Sequence, residues 1–223
     1  MSELLPAVEI NPSTPATATV ICLHGLGVDG NDLAPLAGEL ARPPHAVRFV
    51  FPHAPVRTIT RSGGMPLPAW YDVYGPDLAG KFDEVGIRSS EQQLRALIGR
   101  EVERGIPARR IVLAGFSQGG AMALHTGLRY PQRLGGILAL STYLLLPDTL
   151  QQEAQPANAD VPIMMTHGTG DDIIPFPRGE MSRRSLEKLG YQIDWRVYQM
   201  PHTLCQQEIE DMAEWLDVVF NTP

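Results

Sequence analysis

The sequence predicts an α/β fold with a mostly parallel central sheet and helices on both of its faces. Short, almost continuously apolar segments such as residues 17–23 and 111–114 alternate with longer amphipathic segments. Strands that are apolar throughout are buried on both faces, and helices packed on a parallel sheet provide that burial. A chain of 223 residues with 43% hydrophobic content fits one such unit, so residues 1–223 are predicted to form a single domain.

The first half of the chain is predicted to contain two strands and two helices. The strands are expected at residues 17–23 and 46–51, and the helices at 31–42, where Asn31 is placed to cap, and at 89–105. The segment 53–86 has neither helical nor strand periodicity and is rich in glycine and proline. Its aromatic residues indicate an ordered loop that covers a pocket.

The second half continues the alternation. Strands are predicted at residues 111–114, 135–140, 161–166 and 193–198, helices at 118–129, 179–189 and 207–220, and a loop with a short helix at 147–160.

Charge and composition exclude several classes of function. The net charge of −7 opposes binding to nucleic acid or to an anionic membrane. No secretory signal is visible, and no apolar stretch approaches the ~20 residues of a membrane span. Cys22 and Cys205 lack metal-ligand spacing, so no metal site is expected. These features predict a cytoplasmic protein without an integral membrane segment.

The most informative motif is the run from Gly115 to Gly120, which lies between an apolar strand and an amphipathic helix. This G-x-S-x-G pattern predicts a sharp turn with Ser117 at its apex, where side chains at Gly115 or Gly119 would collide. The backbone N–H of Gln118, at the head of the helix, is suited to bind an oxyanion. The alternative interpretation is a glycine-rich loop that binds phosphate or only turns the chain.

A serine nucleophile needs a histidine base, and ligands of parallel sheets lie outside the carboxyl ends of the strands. Four of the six histidines directly follow predicted strands, namely His24, His53, His167 and His202. Of these, His202 follows the last strand and completes the order serine, acid, histidine of α/β-hydrolases. His24 and His167 are each followed by glycine, and we expect them to bond backbone in the loops that shape the site.

The acid is expected in the loop after the strand 161–166, where Asp171 and Asp172 are adjacent. Spacing alone does not choose between them, and either could instead form a local turn or cap a helix. His125 lies two turns into the helix that follows Ser117, and we expect it to be a packed or capping residue.

These residues carry a resemblance that covers almost the whole chain. The motifs are His24-Gly25-Leu26-Gly27, Phe51-Pro52-His53-Ala54-Pro55, Trp70-Tyr71-Asp72, Gly115-Phe116-Ser117-Gln118-Gly119-Gly120, Leu140-Ser141 and His167-Gly168. The chain resembles the carboxylesterase and acyl-protein thioesterase family of small α/β-hydrolases with a minimal lid, and bacterial carboxylesterases in particular. In that family the acid is the fourth residue after the histidine, which selects Asp171, and Leu26 supplies the second oxyanion N–H. The resemblance leaves Asp172 to bond local backbone N–H groups or to cap the next turn.

The chain departs from the family pattern near the expected site. Pro201 and Thr203 flank His202 where the family usually has glycine and serine. Tyr143 replaces a tryptophan of the animal thioesterases and precedes an apolar run that begins at Leu144. This difference favours an esterase over an acyl-protein thioesterase. Trp70, Tyr143 and Leu144 are the expected pocket residues.

The sequence therefore predicts a serine carboxylesterase for esters of short to medium acyl chains. Ser117 is the expected nucleophile, His202 the base and Asp171 its orienting acid, with no metal or organic cofactor. The expected partner is a small-molecule ester. The alternatives are an acyl-protein thioesterase or lysophospholipase that acts with the same triad on S-acylated protein or lysolipid, and a non-catalytic binding protein. A homodimer is expected by analogy alone.

Overall fold

The computed structural model describes residues 4–75 and 81–222 and contains one large twisted sheet. Its strands, in chain order, are β1 (Ala7–Ile10), β2 (Ala18–Leu23), β3 (Val47–Pro52), β6 (Ile111–Phe116), β7 (Gly136–Leu140), β8 (Ile163–Gly168) and β9 (Ile193–Tyr198). The spatial order is β1-β3-β2-β6-β7-β8-β9, and the pairings are parallel except that of β1 with β3. β4 (Val56–Ile59) and β5 (Met65–Pro68) form a separate antiparallel hairpin.

Helices cover both faces of the sheet. They are α1 (Gly30–Leu33), α2 (Leu36–Leu40), α3 (Glu84–Glu103), α4 (Gln118–Arg129), α5 (Pro147–Glu153), α6 (Phe176–Lys188) and α7 (Gln206–Asn221). Within β6, Ile111 and Leu113 pack on the side of α3 and α4, whereas Val112 and Ala114 pack on the side of α2 and α7. Both sets are fully buried, which explains why the strand reads as continuously apolar. The predicted fold class is confirmed.

The prediction of one continuous helix at residues 31–42 is wrong. Two short helices, α1 and α2, take its place and are separated by Ala34 and Pro35. Proline has no backbone N–H and its ring clashes with the preceding turn, so the apolar periodicity continues while the helix does not.

The segment 53–86 is more regular than predicted, because it contains the β4–β5 hairpin and the first residues of α3. Two prolines within β5 hide the strand pattern, since Pro66 and Pro68 stand opposite Thr58 and Val56. The helix begins five residues earlier than Ser89 because the Asp83 side chain accepts the Gly86 N–H and caps it. Residues 76–80 of this segment lie outside the described residues.

Strand β1 is absent from the sequence-based prediction. Its four residues are only partly buried, and it pairs along one edge with β3, so it has too little apolar periodicity to be recognised. Within the described ranges, no helix has the length and apolar character needed to cross a bilayer.

Candidate active site

Ser117 stands between β6 and α4 in a strained backbone conformation. Its φ of 56° and ψ of −119° are rare for a residue with a side chain, and its N–H donates to the Leu140 carbonyl at 2.8 Å. A Cβ on Gly115 would lie 2.3 Å from the Gly119 carbonyl carbon, and one on Gly119 would lie 2.2 Å from the Leu23 oxygen. The predicted collision is confirmed, so only glycine fits at either position.

The structure brings Ser117, His202 and Asp171 into one hydrogen-bonded line. The Nε2 atom of His202 lies 2.9 Å from the Ser117 Oγ, and its Nδ1 lies 2.7 Å from the Asp171 Oδ2. The Asp171 side chain is completely buried, while that of His202 is 12% exposed. A substrate can therefore approach the serine and the imidazole, and the acid is shielded from water.

The second oxygen of Asp171 holds its own loop in place. Oδ1 accepts the backbone N–H groups of Ile173 and Ile174 at 3.0 and 2.7 Å. The expectation that Asp172 makes such local backbone bonds is wrong, because Asp172 is exposed and its neighbour makes them instead. Asp171 combines both functions, since its two oxygens point in different directions: one to the imidazole and one to the turn.

The loop that carries His202 packs directly on the loop that carries the acid. The Gly170 N–H donates to the Met200 carbonyl at 3.1 Å, and a Cβ on Gly168 would lie 2.3 Å from that same oxygen. Pro201, which departs from the family pattern, accepts the Thr203 N–H at 2.9 Å and closes a tight turn around His202. The proline is therefore compatible with the alignment of the imidazole.

His24 and His167 are buried supports of the loops around the site. Nε2 of His24 accepts the Ala54 N–H at 3.0 Å, and Nε2 of His167 lies 2.8 Å from the Ile174 carbonyl. Burial lowers the pKa of both imidazoles below the usual value, which favours their neutral forms. His125, also buried, lies 3.1 Å from the Glu91 carboxylate, in agreement with its predicted packing role.

The loop that contains Leu26 lies against the nucleophile. A Cβ on Gly25 would be 3.5 Å from the Ser117 Cβ, and Gly27, with φ of 81°, donates its N–H to the Pro68 carbonyl. Gln118 is the first residue of α4, where backbone N–H groups lack an acceptor within the helix. Leu26 and Gln118 thus come from two segments that flank the serine.

The Trp70 side chain is fully buried and is not among the residues that line the neighbouring cavity, so its predicted pocket role finds no support there. Its indole N–H donates to the His24 carbonyl at 2.8 Å, so it holds the start of the loop that carries Leu26. The Gln118 side chain accepts the Trp70 N–H and donates to the Tyr71 carbonyl, each at 2.8 Å. The sequence analysis predicts a role for the Gln118 backbone N–H but not for its side-chain amide. The available signal was the position of this residue directly after the nucleophile.

A cavity of about 190 Å³ lies next to this segment and is lined in part by Tyr71, Phe82 and Tyr143. Tyr143 thus lines a cavity, and its role in a substrate pocket stays a prediction. Leu144 is not among the residues that line this cavity, and its N–H donates to the Ser182 hydroxyl at 2.9 Å. The predicted pocket role of Leu144 therefore finds no support at this cavity.

A serine on a strained strand-to-helix turn, bonded to an imidazole at the carboxyl edge of a parallel sheet, defines an α/β-hydrolase of the serine hydrolase class. Comparison with known proteins agrees, since the sequence profile of the phospholipase/carboxylesterase family matches residues 6–220. The chain belongs to this family and is an ester-hydrolysing enzyme, so the non-catalytic alternative is set aside.

Relatives and solved structures extend this result. Acyl-protein thioesterase 1 of Neurospora crassa is 39% identical, over 96% of this chain and 89% of that protein. The crystal structure of Zea mays acyl-protein thioesterase 2 has a TM-score of 0.86 at 26% identity, over 97% of this chain and 99% of that one. The Bacillus cereus carboxylesterase, with a TM-score of 0.77 at 20% identity over 98% and 96%, shares the fold. These names include both the predicted esterase and its thioesterase alternative.

Proposed function

We propose that the chain hydrolyses carboxylic esters of short to medium acyl chains through an acyl-enzyme formed on Ser117. The observation that carries this proposal is the continuous line from Asp171 through His202 to Ser117, with contacts of 2.7 and 2.9 Å. Such contacts let the imidazole accept the serine proton while the buried carboxylate fixes its tautomer.

In the first half-reaction the Ser117 oxygen bonds to the ester carbonyl carbon, and its proton moves to Nε2 of His202. The Leu26 and Gln118 N–H groups stabilise the negative carbonyl oxygen. The tetrahedral intermediate then collapses, and His202 passes the proton to the leaving alcohol. In the second half-reaction His202 takes a proton from water, and the resulting hydroxide bonds to the acyl carbon. The bond from that carbon to the Ser117 oxygen then breaks, His202 returns the proton to that oxygen, and the acid is released.

Substitution of the nucleophile tests this mechanism. Ser117→Ala is expected to abolish hydrolysis of p-nitrophenyl butyrate with little change in thermal unfolding, because the turn depends on its flanking glycines and not on the hydroxyl. A fluorophosphonate probe should label the wild type at Ser117 alone, as read by peptide mass spectrometry. Ser141 also follows a strand at positive φ but is fully buried, so labelling there would overturn the assignment.

A thioesterase activity at the same site is the second candidate, and the relative named acyl-protein thioesterase 1 favours it. The triad geometry suits both reactions, since a thiolate leaves without needing the full proton transfer that an alcohol requires. Matched butyryl O-esters and S-esters, an S-acylated peptide and a lysolipid would rank the substrates by kcat/KM. A preference of more than tenfold for the S-esters would reverse the order proposed here. Cytoplasmic location, a homodimer and the single-domain assignment stay predictions.

A further inference from the structure

The backbone of the nucleophile is held on both of its polar groups by one short segment at the end of β7. The Ser117 N–H donates to the Leu140 carbonyl at 2.8 Å, and the Ser117 carbonyl accepts the Thr142 hydroxyl at 2.7 Å. Ser141, between them, donates its N–H to the Thr166 carbonyl of β8 at 2.9 Å. This segment thus connects the nucleophile to the strand that precedes the acid loop.

The Thr142 side chain is packed into this contact. The residue is 1% exposed, and a Cβ on Gly120 would lie 3.0 Å from both the Cβ and the Cγ2 of Thr142. Because Gly120 has no side chain, the threonine can approach the first turn of α4 this closely. Its methyl group packs on the helix while its hydroxyl meets the Ser117 carbonyl.

The Ser117 carbonyl accepts two hydrogen bonds, which is the capacity of its two lone pairs. One comes from the Thr142 hydroxyl, and the other is the Ala121 N–H of α4 at 3.1 Å. The backbone at Ser117, with φ of 56° and ψ of −119°, is of a kind that persists only where surrounding contacts fix it. The Thr142 bond is such a contact, and it comes from outside the helix.

The direction of this carbonyl also sets the direction of the next N–H. The Ser117–Gln118 peptide is trans, and in a planar trans peptide the C=O and the N–H point in opposite directions. A carbonyl bonded to Thr142 therefore directs the Gln118 N–H to the other side of the peptide. Gln118 is the first residue of α4, where an N–H has no acceptor within the helix, so this donor can serve an oxyanion.

We infer that Thr142 is a positioning residue for the oxyanion hole, because its hydroxyl holds the peptide plane that carries the Gln118 N–H. Thr142 acts through the backbone of the nucleophile and not on the reacting atoms themselves. This inference rests on the proposed hydrolysis at Ser117, and it adds a residue outside the triad and outside the two oxyanion donors.

The test compares Thr142→Val with Thr142→Ser by steady-state kinetics on p-nitrophenyl butyrate. Valine keeps the shape of the side chain and removes the hydroxyl, whereas serine keeps the hydroxyl and removes the methyl group. Thr142→Val should lower kcat by roughly threefold to tenfold, the range for one neutral hydrogen bond, and leave KM within twofold. Thr142→Ser should keep kcat within twofold of the wild type.

Thr126→Val is the matched control. Thr126 is a fully buried threonine of α4, and its hydroxyl has no hydrogen-bond partner among the residues that the structure describes. The same exchange of hydroxyl for methyl should therefore leave kcat within twofold of the wild type. Titration with a fluorophosphonate gives the concentration of active sites in each protein, and thermal unfolding confirms the fold.

A transition-state analogue distinguishes a displaced oxyanion donor from a loss of folded enzyme. Propyl trifluoromethyl ketone carries the butyryl group of the ester with CF₃ in place of the leaving group. The Ser117 oxygen bonds to its carbonyl carbon, the serine proton moves to His202, and the ketone oxygen becomes an oxyanion that accepts from the Gln118 N–H. The Ki of this ketone should rise in Thr142→Val by the factor by which kcat falls. A smaller folded fraction would lower kcat and leave Ki unchanged.

The outcomes separate this inference from the underlying reaction. A Thr142→Val enzyme with wild-type kcat and Ki, or one in which kcat falls without a rise in Ki, refutes the positioning role while hydrolysis at Ser117 stands. An equal loss in Thr142→Ser assigns the effect to packing and refutes it as well. If Thr142→Val does not fold, Thr142→Ala replaces it, since alanine and serine both lack the methyl group and differ only in the hydroxyl. If Ser117→Ala retains activity, the proposed function itself fails.

Discussion

The substitution Asp171→Asn tests the geometry of the site most directly. The new side chain would keep a carbonyl oxygen for the Ile173 and Ile174 N–H groups, which Asp171 Oδ1 now accepts at 3.0 and 2.7 Å. Its amide nitrogen would then face Nδ1 of His202, where Oδ2 now lies at 2.7 Å. Because an amide nitrogen only donates, Nδ1 must accept, and the imidazole proton moves to Nε2. The nitrogen that faces Ser117 is then already protonated and cannot accept the proton of the hydroxyl.

The magnitude of the loss follows from the cost of restoring the productive tautomer. For this, the amide would have to flip and place its NH₂ group against the two backbone N–H groups. Two backbone donors, that of Ile174 buried and that of Ile173 partly buried, would lose their acceptor, at about 1–3 kcal/mol each, or about 2–6 kcal/mol together. At 1.36 kcal/mol per decade this corresponds to a loss in kcat of roughly 30-fold to 10⁴-fold. The corresponding change in a serine protease costs about 10⁴.

Steady-state kcat on p-nitrophenyl butyrate is the assay, with thermal unfolding to confirm the fold. Asp172→Asn is the matched control, because that side chain is exposed, and it should stay near the wild-type kcat. Asp171→Ala should lose activity and also unfold at lower temperature, since alanine makes neither the bonds to the Ile173 and Ile174 N–H groups nor the bond to His202. A folded Asp171→Asn enzyme within tenfold of the wild-type kcat would refute the tautomer argument.

Two further predictions concern stability. Gly119→Ala should lower the free energy of unfolding by at least ~1–3 kcal/mol and reduce activity, because its Cβ would lie 2.2 Å from the Leu23 oxygen. The control Gly99→Ala, whose Cβ would have nothing within 4 Å, should raise the free energy of unfolding by ~0.5–1 kcal/mol. Burial raises the pKa of Glu208 from 4.5 to about 7. The folded state thus binds the extra proton, and the free energy of unfolding falls by about 3 kcal/mol as pH rises through that window. Glu208→Gln keeps an acceptor for Thr166, so it should remove this fall in the free energy of unfolding, measured by urea unfolding at pH 5 and pH 8. The same fall in the wild type and in the variant would contradict the assignment.

The parts of the site that the sequence could predict depend on local rules. The glycines around Ser117 are required by the turn itself, and His202 follows its strand directly, so the topology brings it to the carboxyl edge of the sheet. The helix break at Pro35 could also be predicted by a local rule, because a proline cannot continue a helix. The apolar periodicity on both sides of it masked that signal.

The remaining features depend on contacts between distant segments. Trp70 was expected at a pocket wall because aromatic residues in a glycine-rich loop often cover one. Its burial is decided by bonds to Gln118 and His24, which are 48 and 46 residues away in sequence. The outward direction of Asp172 was likewise undetermined, since adjacent carboxylates in a loop are distinguished only by the surfaces they meet.

The Gln118 side chain shows why the parts of this site are interdependent. Its oxygen accepts the Trp70 N–H and its nitrogen donates to the Tyr71 carbonyl, so one side chain satisfies two backbone groups of this segment. Trp70 in turn donates to the His24 carbonyl, at the start of the loop that carries Leu26. The amide has both the donor and the acceptor this requires, whereas a glutamate carboxylate would leave the Tyr71 carbonyl without a donor. One residue thus links the segment that carries Trp70 and Tyr71 to the nucleophile turn, and Trp70 links that segment in turn to the loop that carries Leu26.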